Sequence, residues 1–150
     1  MKSKPSASEV PGLWEVDGSL RDMYVFDMST NDWAKLLVVA SSYRSVYSVN
    51  GEPKALPSAA QLFPEGRGHQ LLAIQIGAAS VNCHFFVESE LELDINPKEV
   101  DSAHQHDLLL EFAETLASAL QKPIVLTPEN APESPILSFE PVVYQWLVSP

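Results

Sequence analysis

Apolar and polar positions along this chain follow two periods. Leu71 to Ile76 and Val81 to Val87 have the β-branched, aromatic and alternating character of half-buried strands. From Glu88 to Ile95 the alternation is strict. In an extended chain Glu88, Glu90, Glu92 and Asp94 take one face, and Leu91, Leu93 and Ile95 take the other. The other period is helical. Leu108, Leu109, Phe112, Leu116, Ala119 and Leu120 form one stripe, opened by Asp101 or Ser102 and stopped at Lys122-Pro123, with Glu111 and Glu114 turned to water. Trp33, Leu36, Leu37 and Ala40 repeat at the same spacing behind an N-cap at Ser29 or Thr30, predicting a helix to about Ser42.

Turn chemistry links these segments. Asp17-Gly18 predicts a β-hairpin joining Leu13–Val16 to Leu20–Phe26, and Asn50-Gly51 a second hairpin weakened by Pro53. Pro57 to Phe63 suits a short helical turn. The strand ending at Val87 is expected to continue through a bend into the acidic strand. Ile124–Leu126, Ile136–Phe139 and an edge strand over Val142–Val148 complete the pattern. Strands and helices do not alternate regularly, which disfavours a parallel doubly wound sheet. The expected fold is α+β, a mainly antiparallel sheet of about five to seven strands with two principal helices on one face and the other face partly open. Residues 1–12 are small and polar and predict a flexible N-terminal tail, and residues 13–150 a single globular domain.

Composition narrows the function classes. Hydrophobic residues make up 45% and charged residues 19% of the 150, a globular balance. The net charge of −11 is lopsided: residues 1–83 hold 7 Lys/Arg against 8 Asp/Glu, and residues 84–150 hold 2 against 12. Nucleic acids and anionic membranes require basic clusters that the second half lacks, so neither is an expected partner. Cys83 is the only cysteine, which excludes an intramolecular disulfide and fits a reducing cytoplasm. The opening residues lead into no apolar run, so neither a secretion signal nor a membrane anchor is expected there.

Candidate chemistry is sparse. Gly66-Arg67-Gly68 lacks the rest of a phosphate loop, and Asp17-Gly18-Ser19 has no nucleophile-elbow context. Cys83 and His84 are adjacent, yet neighbours in a strand point to opposite faces, and Cys83 reads as a buried small hydrophobe. His104 and His106 project some 200° apart on a helix, so both reach one metal ion only if the segment is extended. A straight carboxylate strand spreads its oxygens instead of gathering them around a hard cation. No cofactor or metal ligand set is therefore predicted. The acidic row has a different use: it is a surface for a basic protein partner, with Tyr144 and Trp146 as aromatic anchors on a neighbouring edge strand.

Trp14–Val25, Asn82–Phe86 and Leu126–Asn130, in that order, resemble a group of small, acidic bacterial proteins, some of which resemble the immunity proteins encoded beside polymorphic or contact-dependent toxins. The resemblance covers residues about 13–140 and implies a cytoplasmic antitoxin role. The leading expectation is a non-enzymatic interaction module whose Glu88, Glu90, Glu92, Asp94, Tyr144 and Trp146 contact the partner. The alternatives are a small metal or Cys/His enzyme built on Cys83, His84, His104 and His106, and a homo-oligomeric subunit pairing through the Val142–Val148 edge.

Overall fold

A computed structural model describes residues 4–66 and 68–149 of the chain. The strands are β1 (Arg21–Phe26), β2 (Ser45–Val49), β3 (Glu52–Pro53), β4 (Gln70–Ile76), β5 (Ala79–Val87), β6 (Glu90–Ile95), β7 (Ile124–Pro128), β8 (Leu137–Glu140) and β9 (Gln145–Val148). They form one sheet in the order β3-β2-β4-β5-β6-β1-β7-β8-β9. Every pairing is antiparallel. Two helices, α1 (Thr30–Ala40) and α2 (Ala103–Leu120), bridge β1 to β2 and β6 to β7.

The α+β class is as expected, but among the described residues the sheet has nine strands, not five to seven. Part of the surplus lies in very short edge pieces, and part in the acidic stretch. Glu88-Ser89 is a turn, so β6 doubles back on β5 instead of prolonging it. The hairpin expected at Asp17-Gly18 is absent. Asp17 instead closes a side-chain turn on the Ser19 amide at 3.0 Å, and the Arg21 guanidinium holds the preceding carbonyls of Leu13 (2.6 Å) and Glu15 (2.9 Å). The last strand begins only at Gln145, because Pro141–Tyr144 is a turn in which Tyr144 takes a φ of +52°.

The N-terminal segment is not a free tail over its described part. Val10 and Leu13 are buried in the core. His106 of α2 lies under this segment. The Trp14 indole N–H donates to His106 Nδ1 at 2.8 Å, which leaves Nε2 to donate to the Pro5 carbonyl at 2.8 Å. Residues 1–3 of the expected tail lie outside the described residues.

Both helices pack on one face of the sheet, where Met23, Val25, Trp33, Leu93, Phe112, Leu126, Phe139 and Trp146 belong to one buried cluster. Ser29 and Asp32 form a reciprocal capping box at the start of α1, and Ser102 caps α2. Gln105 ties α2 to the β4–β5 turn, accepting from the Ala78 amide at 2.8 Å and donating to the Ile76 carbonyl at 2.6 Å. Gly77 lets it in: a Cβ there would lie 2.5 Å from Gln105 Oε1, and φ is +61°.

Candidate functional site

With the helices on one face, strict alternation sends the other set of strand side chains to the uncovered face. On β1 these are Asp22, Tyr24 and Phe26, on β5 Asn82, His84 and Phe86, and on β6 Glu90, Glu92 and Asp94. Register assembles them into rows. One row runs Thr127, Asp22, Asp94, Asn82, and the next Val125, Tyr24, Glu92, His84, Leu71. Two aspartates therefore stand directly opposite each other, a pairing that costs stability.

Hydrogen bonds satisfy both of them. Asp22 Oδ2 accepts from the Tyr24 hydroxyl (3.0 Å) and from the Asn130 amide (2.7 Å). Asp94 accepts from Asn82 Nδ2 (3.0 Å) and bonds His84 Nε2 at 2.5 Å. Glu90 and Glu92 differ: neither receives a hydrogen bond from any described residue, although both are partly exposed. The face positions of β4, β5, β6, β1 and β7 include no lysine or arginine. His84 is their sole titratable cation.

The titrations express this crowding. Burial first, then the charges of Asp94 and Glu129, push the Asp22 carboxyl above the usual range, against the opposing pull of its two hydrogen bonds. Glu92 is raised by burial and by Asp22, Glu90 and Asp94. His84 is raised chiefly by its bond to Asp94. Tyr24 is raised by burial and by its bond to Asp22.

Parallel rings border the carboxylates. Tyr24 and Phe26 stack at 5.9 Å on one side, and His84 stacks on Phe86 at 4.9 Å and on His69 at 5.7 Å on the other. Phe26 is 40% and Phe86 59% exposed, leaving apolar ring surface beside Glu90 and Glu92. Phe86 also lines a groove of about 420 Å³ with Phe63, Gln70, Phe85 and Glu88.

No family model, no curated protein and no solved structure matches the chain. The reading of this face therefore rests on its own geometry.

Of the residues expected from sequence to contact a partner, Glu90, Glu92 and Asp94 share the uncovered face. Glu88 does not continue their row, because it lies in the β5–β6 turn with its carbonyl accepting from the Trp33 indole at 2.7 Å. Tyr144 and Trp146 are not beside the acid. Trp146 is fully buried on the helix side, and both residues donate to Glu114 of α2, Trp146 at 2.6 Å and Tyr144 at 3.2 Å. That also corrects the expectation that Glu114 simply faces water. Cys83 is fully buried among core residues, its thiol pushed up by burial, and His84 projects from the opposite face. His106 is buried beneath Trp14 while His104 is exposed, so the structure does not gather the four Cys/His positions. Among the described residues, no three His, Cys, Asp or Glu side chains are grouped to hold a metal ion. Asp22, Tyr24 and Asn82 are members of the site that the sequence reading missed. An aspartate immediately before the apolar Met23–Phe26 run of β1 was the available signal; the register that sets it against Asp94 was not.

Proposed function

We propose that the helix-free face binds a cationic segment of a protein partner, seating a lysine or arginine on Glu90 and Glu92 with its aliphatic stem against Phe26 and Phe86. The observation that carries this reading is a pair of partly exposed carboxylates that receive no hydrogen bond from any described residue, set in a field of two further aspartates. An arriving cation relieves like-charge repulsion already present in the fold, and the exposed rings add contact area beside it. A toxin with a cationic groove would be such a partner, the role that resemblance to immunity proteins implies.

A fluorescent arginine-rich peptide is a direct probe. Its binding should weaken as salt rises and should fall at least about tenfold in Glu90→Gln/Glu92→Gln, the worth of one charge-assisted contact. Glu111→Gln/Glu133→Gln removes the same net charge from elsewhere on the surface and should leave affinity within about twofold. Equal losses in the two variants would show attraction to general acidity and overturn the assignment of this face, as would the absence of binding at low salt.

A further inference from the structure

The sheet ends at β9, and the pairing phase of that strand determines what its free edge offers. The Ser149 amide donates to the Ile136 carbonyl at 3.0 Å, continuing the register in which Leu137 opposes Val148. In an antiparallel ladder hydrogen-bonded pairs alternate with non-bonded ones. Ser149, Leu147 and Gln145 therefore turn their backbone groups to β8, and the amides and carbonyls of Trp146 and Val148 point away from the sheet. We infer that this edge pairs with the same edge of a second copy, β9 against β9, to make one continuous sheet across a two-fold axis.

The two outward residues are self-complementary. With the axis at Leu147, Trp146 of each copy opposes Val148 of the other, and both form hydrogen-bonded pairs. The four outward amides and carbonyls on each side of the junction are then all matched, as an isologous interface requires. Leu147 meets Leu147 in a non-bonded pair at a Cα separation of about 4.5 Å. Charge points to the same occupant. The chain carries −11 overall, but residues 141–149, Pro-Val-Val-Tyr-Gln-Trp-Leu-Val-Ser, carry no charged side chain. The strand itself brings no charge to the junction, and the Glu114 carboxylate beside it is held by the Trp146 indole and the Tyr144 hydroxyl. The edge also lacks the lysines or inward charges that guard free strands.

Exposed apolar surface is available at the same place: Val142 is 80%, Val143 63%, Leu147 47% and Val148 39% exposed. Of these, Leu147 and Val148 lie in the paired stretch and Val142 and Val143 in the turn beside it, so the covered area is well below that of a standard specific interface and the dimer forms reversibly and depends on concentration. Salt should strengthen it by screening net repulsion, whereas salt should weaken the cation binding proposed above.

Sedimentation velocity from about 1 µM to about 1 mM tests the junction, a range that brackets affinities expected of small interfaces. Wild type should pass from monomer to dimer. Val148→Pro removes an outward amide and leaves the bonds to β8, as proline on an edge strand can, so it should remain monomeric with an unchanged circular dichroism spectrum. Leu147→Lys sets two charges against each other and should also remain monomeric. Leu147→Cys should form a disulfide-linked dimer on mild oxidation, since the Cα spacing lies within the disulfide range and Cys83 is fully buried. A wild type that stays monomeric throughout, a Val148→Pro variant that dimerises like wild type, or a Leu147→Cys variant that does not crosslink would each overturn the proposal.

Discussion

Replacing Asp22 by asparagine should make the protein more stable, although the side chain is buried and doubly hydrogen-bonded. Both donors, the Tyr24 hydroxyl and the Asn130 amide, converge on Oδ2. A single amide oxygen placed there keeps both bonds, and only their charge assistance is lost, about 0.5–1 kcal/mol each. Against this stand two gains. Asp22 is 2% exposed, so its charge is desolvated. Asp94 lies directly across the ladder, and two charges about 6 Å apart repel by roughly 0.7–3 kcal/mol for effective dielectric constants between 80 and 20. The upward displacement of the Asp22 carboxyl shows that these opposing effects already sum in favour of the uncharged form. At pH 7 the Asp22→Asn variant should gain about 1–2 kcal/mol in urea unfolding, and a few degrees in Tm. The pH dependence supplies the check on cause. Because the folded-state pKa is raised, the native state holds a proton that the unfolded chain has released, and wild-type stability falls as pH rises from the ordinary aspartate range through the folded value. The advantage of the variant should therefore disappear near pH 3.5, where Asp22 is protonated in both states. A variant less stable than wild type at pH 7, or an advantage that persists unchanged in acid, would refute the reasoning.

His84 should contribute a second slope of the same sign. Its pKa is raised by Asp94, so the stabilisation it brings is complete below the unfolded value of about 6.5 and lost as pH rises through the folded one. The Tm difference between wild type and His84→Gln should be largest near pH 6 and shrink toward pH 9. Arg21, 4% exposed, holds the Leu13 and Glu15 carbonyls and Ser19. Arg21→Met should cost about 3–5 kcal/mol in urea unfolding by leaving those acceptors without a donor, and Arg21→Lys should recover only part, lacking the forked donor geometry.

Local signals were legible wherever a single segment decides the outcome. The Ser29 and Ser102 caps, the α2 stripe, the β4 and β5 strands and the alternation of β6 can all be read from residues a few positions apart. What could not be read depends on partners distant in the chain. Asp17-Gly18 has the chemistry of a hairpin turn, but Trp14 is drawn to His106 and Arg21 takes the local carbonyls, so tertiary contacts override the turn. Trp146 alternates with exposed positions, yet its face is set by which side α2 covers, and Glu114 then meets its indole. The acidic row was visible in sequence. Its pairing with Asp22 and His84 required the strand order.

That order places β1, the first of the described strands in sequence, in the interior of the sheet. β1 leaves the ribosome early, yet its two neighbours begin only at Glu90 and Ile124. The sheet cannot be completed by adding strands outward as they emerge; β1 gains both its neighbours only once residues through β7 have been synthesised. Folding that depends on such distant pairing is slow, and the waiting segment is close to neutral, since residues 1–83 hold 7 Lys/Arg against 8 Asp/Glu and most of the acid arrives with the later strands.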